Sequence, residues 1–331
     1  MKALVLRGRT AAIEDALAPR CEQPDDVIVA VTVAGVCRTD CYLAAGTLAP
    51  ARTPLILGHE LAGVVHEAGP ASGFEPGERV ACMPLVGCGQ CAVCRAGRTH
   101  VCPRGHMLGL DRDGAFAERV RVPASSLVRV PAGLSMRHAA FAEPVAAALA
   151  VPEVLIGALG SASGGAPGDT PAGHARAQRG LVLGQGRIAI LTARVLAAAG
   201  FDRVETRPVP ERVAADQPDY PDDYDFVVET TATERALAAA VALLRPRGVL
   251  VLKSRPPAAV PIDVLACVRK ELRLVGAYYG SLAAALDLMH TGAIAVDDLL
   301  GPGHGLAAHQ AVLAAELRGD EARKQFFAIG D

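Results

Sequence analysis

The chain has 331 residues, 51% apolar and 21% charged, with a formal net charge of −2. That is long enough for two domains with sizeable cores, and the composition is that of an ordinary soluble protein. The near-zero net charge, the lack of Trp and the scarcity of other aromatics leave nothing for nucleic acid or an anionic membrane to hold.

The opening, MKALVLRGRT, has too short an apolar run for a secretory signal. Residues 26–36 (DVIVAVTVAGV) alternate and are β-branched, which predicts a strand. ELAGVVHEAG and ERVACMPLV repeat that character with Gly and Pro between, so the first part reads as β-rich. The longest apolar stretch, residues 139–160, carries Glu143, Pro144, Pro152 and Glu153 and is a poor membrane span; a cytoplasmic location is the expectation. Residues 160–180, rich in Gly, Ala, Ser and Pro without apolar periodicity, read as a flexible surface loop. Beyond it LVLG, DFVVE, GVLVLK and LRLVGA alternate with the helical stretches RIAILTARVLAAAG and TERALAAAVALLRPRG. Apolar strands alternating with helices predict a parallel sheet covered on both faces.

LVLGQGRIA sets Gly184, Gly186 and Ala189 in the spacing G-x-G-x-x-A between a strand and a helix that opens with Arg187 and Ile188. The first Gly suits a tight turn, the second lets backbone approach a pyrophosphate, and the small third residue allows close helix–strand packing. Alone the motif also fits a purely structural turn; the later strand–helix units favour a dinucleotide. The second strand is predicted over residues 202–207. An acid at its end would take the ribose 2′-hydroxyl of NAD and an arginine the 2′-phosphate of NADP. The strand ends on Arg207, with Arg212 nearby and Glu205 two residues early, which favours NADP over NAD; the plain alternative is a solvated surface charge.

Nine cysteines, an odd count, disfavour a disulfide framework. VGCGQCAVCRAGRTHVC holds Cys88, Cys91, Cys94 and Cys102. Four thiolates at that spacing can close a tetrahedral zinc site with no open position, which would fix a loop rather than bind substrate. An iron–sulfur cluster or unliganded thiols are the alternatives. Other ligand-type residues lie further off: Cys37, Thr39 and Asp40 in GVCRTDCYLAAG, His59 and Glu60 in LILGHELAGVVHEAG, and Glu143 before Pro144. Each is weak singly: a Cys at a strand end is usually core, and Glu before Pro often starts a helix.

In combination the chain resembles the medium-chain, zinc-dependent alcohol dehydrogenase superfamily, in its polyol and threonine dehydrogenase branch. GHELAGVVHEAGPAS follows that family's GHE-x-x-G-x5-G zinc signature. The four-cysteine lobe, DGAFAERVRVPASSLVRVP and LVLGQGRIA match its later segments, over nearly the whole chain. The resemblance implies an α/β protein with a GroES-like β-rich catalytic domain, residues 1–148 and 276–331, carrying a structural zinc lobe at 86–103. A Rossmann doubly wound domain, residues 149–275, would be inserted between.

It further implies two zinc ions per chain. Cys88, Cys91, Cys94 and Cys102 would hold the structural one; Cys37, His59, Glu60 and Glu143 would serve the catalytic one, with Glu60 a fixed or alternating ligand. Thr39 would relay the alcohol proton, and Arg38 would meet the cofactor pyrophosphate. Where many members continue the relay through a His, this chain has Tyr42, a neutral phenol and a poor base near neutral pH. KSRPP, residues 253–257, resembles a less-characterised side branch. The activity implied is hydride exchange between a secondary alcohol of polyol, cyclitol, sugar or amino-alcohol type and NADP or NAD, in a homodimer or homotetramer. A simple alcohol or aldehyde reductase, or a non-catalytic dinucleotide-binding member, are the rival readings.

Overall fold

The computed structural model describes residues 1–160, 171–211, 223–319 and 323–330. The chain forms two compact units, Met1–Pro144 with Leu282–Asp331, and Val145–Ser281.

The first unit is built on a seven-stranded sheet. Its path runs Leu127–Arg129, Arg79–Cys82, Glu60–Ala68, Asp26–Gly35, Lys324–Ala328 and Leu300–His304, with Arg119–Pro123 also paired to Asp26–Gly35. Asp26–Gly35 is central because nearly every residue of DVIVAVTVAG is apolar and buried, as a strand with covered faces requires. On one edge Gly35 faces Glu60; on the other it faces Phe326, from a strand near the end of the sequence. This pairing brings distant residues to one place. Phe116 packs edge-on against Phe327, with ring centroids 4.8 Å apart, in a core with Leu4, Val29 and Leu57.

The second unit holds five parallel strands in the order Val204–Arg207, Gly180–Leu183, Tyr224–Glu229, Leu244–Leu252, Arg273–Gly276. Alternate residues feed two separate cores: Val182, Phe226, Val228 and Val251 on one face, Leu181, Leu183, Val227 and Leu250 on the other. The continuous apolar runs follow from both faces being covered. Residues of the helices Arg187–Ala198 and Glu234–Leu243 complete the two cores. The apolar stretch that ends at Gly160 is part of the helix Met136–Gly160; it is long and apolar enough to cross a membrane, yet 78% of its most apolar window is buried inside the protein.

Part of the segment expected to be a flexible loop at 160–180 is a helix, Pro171–Arg176. Pro is tolerated in a helix's first turn, and Ala175 is fully buried in the core beside Val182 and Leu196. Packing decides what a composition of small residues left open; residues 161–170 of that expected loop lie outside the described residues.

Candidate metal centres and nucleotide turn

Cys88, Cys91, Cys94 and Cys102 converge with all four sulfurs within 4.8 Å of one another. Cys91 starts the short helix Ala92–Arg95 as its N-cap, its sulfur accepting from the Cys94 N–H. The strands Leu85–Val86 and His106–Met107 pair and close the base of the lobe. Four sulfurs about 2.3 Å from one zinc ion in a tetrahedron stand about 3.8 Å apart. Cys91 Sγ lies 3.8 Å from Cys102 Sγ, and Cys88 Sγ 4.0 Å from Cys94 Sγ, so the lobe fits that ion. Backbone N–H groups of Gln90 and Cys91 lower the Cys88 thiol to about 6, in the direction of the thiolate that binds metal, while burial raises Cys94 to about 11.

A second group joins Cys37, His59 and Glu60, whose donor atoms also lie within 4.8 Å of one another. Cys37 ends the central strand's run and caps the helix Arg38–Ala44. His59 follows Gly58, whose φ of +94° lies in the region that favours glycine; a Cβ there would lie 2.4 Å from the Phe116 ring. The local turn therefore needs Gly before His.

Asp40, fully buried, organises this corner. Its Oδ2 accepts the Cys37 N–H at 2.9 Å, and its Oδ1 accepts the Gly58 N–H at 3.2 Å. The same Oδ1 lies 3.3 Å from His59 Nδ1. A carboxylate on Nδ1 fixes the imidazole and turns Nε2 to a metal. Burial pushes the His59 pKa down, but Asp40 and Cys37 more than offset it and hold the imidazole well above its ordinary value.

Lys324 Nζ pairs with Glu60 Oε1 at 2.5 Å, with the two side chains 5% and 2% exposed. Gly35 makes room for the pair: a Cβ there would sit 2.3 Å from Glu60 Oε2 and 3.0 Å from Lys324 Cε. His59 Nε2 and Glu60 Oε2 are buried with no hydrogen-bond partner. Buried polar atoms without partners beside a thiol suit a divalent cation, and thiol, imidazole and carboxylate are the zinc donors.

Thr39 Oγ1 lies 3.8 Å from Cys37 Sγ, at the edge of the group. Tyr42 is half-buried one turn further along the same helix, and Arg38 is exposed at its start. Glu143, 2% exposed on the helix Met136–Gly160, engages other groups and does not fall within 4.8 Å of all three donors. Cys41 is a core thiol, 2% exposed and held in the neutral form by burial. Sequence reasoning missed Lys324 altogether. Asp40 stood in a ligand-type stretch, but only its three contacts reveal a positioning part.

In the second unit Gly184 has φ +140°, and a Cβ there would meet Thr230 Oγ1 at 2.2 Å. Gly186 is the N-cap of the helix Arg187–Ala198, with open space where its Cβ would point. Ala189 is fully buried. The three positions thus do what the spacing predicts: turn, open approach and close packing. Arg187 and Ile188 are half-buried at the helix start. Arg207 pairs with Leu183 in register, and the Gly184 N–H donates to its carbonyl at 2.8 Å, so the second strand ends beside the turn. Burial raises the Glu205 carboxyl, but hydrogen bonds from Arg179 and Arg207 outweigh this and hold it below its usual range. Glu205 is therefore occupied by two guanidiniums. Arg212 lies outside the described residues.

Residues 23–132 match the alcohol dehydrogenase GroES-like domain. An L-threonine 3-dehydrogenase of Anaeromyxobacter dehalogenans is 30% identical over 265 residues, 76% of each chain. A 2-dehydro-3-deoxy-L-galactonate 5-dehydrogenase of Pseudoalteromonas atlantica is 29% identical over 285 residues, 79% of this chain and 77% of its own. A zinc-binding dehydrogenase structure from Sinorhizobium meliloti, bound to NADP, superposes with a TM-score of 0.82 at 27% identity, covering 99% of this chain and 98% of its own.

Proposed function

Since the chain belongs to the medium-chain, zinc-dependent alcohol dehydrogenase superfamily, we propose that it is a zinc-dependent, NADP-linked dehydrogenase of secondary alcohols on polar substrates. The observation that carries this is the cluster of Cys37, His59 and Glu60 with orphaned His59 Nε2 and Glu60 Oε2. The relatives' names supply the substrate class: a sugar acid, L-threonine and D-xylulose.

Cys37, His59 and Glu60 would hold the reacting zinc, and the four thiols of the lobe a structural one. Glu143 is assigned to the first on the resemblance alone. A zinc ion bound there supplies Lewis acidity, lowering the pKa of an oxygen placed on it. Asp40 keeps His59 in the required tautomer. Lys324 holds Oε1 of Glu60 and leaves Oε2 without a hydrogen-bond partner. The Thr39 hydroxyl, beside Cys37, takes the alcohol proton and passes it outward; Tyr42 and Arg38 flank that route on the same helix. Gly184, Gly186 and the start of the helix Arg187–Ala198 would receive the pyrophosphate, and Arg207 the 2′-phosphate.

Metal analysis and cofactor titration test this reading. Two zinc ions per chain are expected, and kcat/KM with NADP well above that with NAD across secondary alcohols and ketones. Arg207→Ser is expected to lower the NADP value about tenfold while leaving NAD nearly unchanged. A single zinc ion sinks the reacting-metal reading, and a clear NAD preference sinks the Arg207 reading.

The same proposal includes a second copy of the chain. Arg273–Gly276 is an edge strand, with Leu274 42% exposed, and the nearby helix Val264–Arg269 shows Val264, Leu265 and Val268 to solvent at 64%, 58% and 67%. An unpaired edge flanked by exposed apolar side chains is a liability that pairing between copies removes. Its nine free thiols suit a reducing, cytoplasmic setting.

A further inference from the structure

The first unit contains a cavity of about 640 Å³ that shares no residue with either metal-type group or the nucleotide turn. Five of its lining side chains are arginines, Arg20, Arg52, Arg112, Arg119 and Arg121, against two carboxylates, Glu22 and Asp113. Arg52 lies 3.6 Å from Asp113. Arg121 pairs with Glu22 and lies 3.9 Å from Asp26. Arg20, Arg112 and Arg119 have no side-chain hydrogen bond or ion pair among the described residues. Three uncompensated guanidiniums thus share one cavity in a chain whose net charge is −2.

The strand Arg119–Pro123 presents two of the five, Arg119 and Arg121. Its alternation buries Val120 and Val122 in the core at 2% and 1% exposure and turns Arg119 and Arg121 to the other side. Its ladder with residues 26–30 fixes that strand, and Arg119 is half-buried rather than waving in solvent. Arg119 is fixed on the sheet, while Arg20 and Arg112 reach the same pocket from exposed positions outside it; like charges gathered at one pocket repel unless an anion completes them. The guanidinium fork matches phosphate and carboxylate oxygens, and the volume is that of a small-ligand site.

We propose that this cavity binds a small polyanion with two or more phosphate groups, of about three negative charges, independently of the dehydrogenase site. The excess of three positive charges among the lining residues sets the ligand's charge class, and the volume of this open pocket suits a ligand of metabolite size. Ile56, 7% exposed, lines the pocket too and offers a small apolar patch to a sugar or similar carbon frame.

The test is calorimetric titration of the zinc-loaded protein, already saturated with NADP, with fructose 1,6-bisphosphate, and separately with citrate, at low salt. Expected is one bisphosphate per chain, weakened at least tenfold in Arg112→Gln/Arg119→Gln and partly restored in the Arg→Lys pair. Dehydrogenase activity and zinc content are expected to stay unchanged in these variants. Arg119→Gln alone serves where the double variant is unstable. Citrate binding equal to the bisphosphate overturns the phosphate assignment. Equal binding of inorganic sulfate shows an adventitious ion only. Binding of heparin but of no small polyanion means a macromolecular surface instead. Undiminished binding in the variants, or no binding at all, overturns the site.

Discussion

The four-cysteine lobe and the Cys37–His59–Glu60 group are both clusters of zinc-type donors, but they are assembled by opposite means. In the lobe every donor comes from one stretch of 15 residues, and sulfurs stand against sulfurs at 3.8 and 4.0 Å. In the second group the donors come from a strand end and a Gly–His–Glu turn, and Lys324 is delivered to Glu60 from 264 residues away. The lobe's four thiols could fill a tetrahedral coordination sphere among themselves. The second group supplies three donors, with buried atoms lacking partners, inside a frame of Asp40, Lys324 and Gly35. A site that closes locally fixes a loop. A site held from outside by other elements can leave a position for a reactant.

The largest expected effect breaks the two regions apart. Cys37→Ser removes a donor of the reacting centre without touching the lobe. Losing several kcal/mol of electrostatic stabilisation corresponds to a fall in kcat/KM of about 10³-fold or more. Bound zinc should drop from two ions to one, with the melting temperature nearly kept. Cys88→Ser should do the reverse: the zinc of the lobe is lost and residues 86–103 become protease-sensitive, while activity in undigested protein at low temperature persists. If Cys37→Ser keeps activity, or Cys88→Ser abolishes it at once, the division of labour between the regions is wrong.

Lys324→Met comes next. It leaves the Glu60 carboxylate buried without its cation, with the pair only 5% and 2% exposed. Breaking one side of such a pair costs about 3–5 kcal/mol. The expected readout is a lower denaturation midpoint in the metal-free protein, and a smaller loss with zinc loaded. Equal stability of metal-free Lys324→Met and wild type would remove Lys324 from the frame of the site.

How far these residues could be read beforehand follows the same contrast. The convergence of the four cysteines is legible because they are neighbours in sequence, and the glycine turn is legible because Gly184, Gly186 and Ala189 act within six residues. Cys37, His59 and Glu60 emerge only in combination, since each alone is an ordinary residue of a β-rich domain. Lys324 has no local signal: its place depends on Phe326 pairing with Gly35 while Gly35 pairs with Glu60. The helix Pro171–Arg176 was hidden for a related reason, because burial of Ala175 against strands and helices elsewhere decides it. What closes over short separations is visible in the string; what long-range sheet register brings together is not.

Asp40→Asn tests the frame more gently. The amide keeps the volume, and its oxygen can still accept from Cys37 N, but its NH2 then faces Gly58 N–H and His59 Nδ1 and gives up both contacts of Oδ1. Loss of such an outer partner costs about 10–100-fold in metal affinity. Competition with a chelator should show that weakening at the Cys37 centre alone, with the lobe's zinc retained as in wild type. Weakening at both centres would mean that Asp40 acts through general stability.

The smallest effect is expected at the lobe's own outer contact. Arg104 donates to Cys88 Sγ at 3.3 Å, but this pair is exposed to solvent. An exposed charged contact contributes about 0–1 kcal/mol. Cys88 also has backbone donors from Gln90 and Cys91, which remain when the guanidinium is removed. Arg104→Ala should therefore shift the lobe's zinc affinity by less than about tenfold. That change should stay below the one from Asp40→Asn at the other centre, when both are measured by the same chelator competition. A loss at Arg104→Ala as large as at Asp40→Asn would mean that the lobe too is held from outside, and the contrast between a locally closed site and a framed one would fail at its weakest contact.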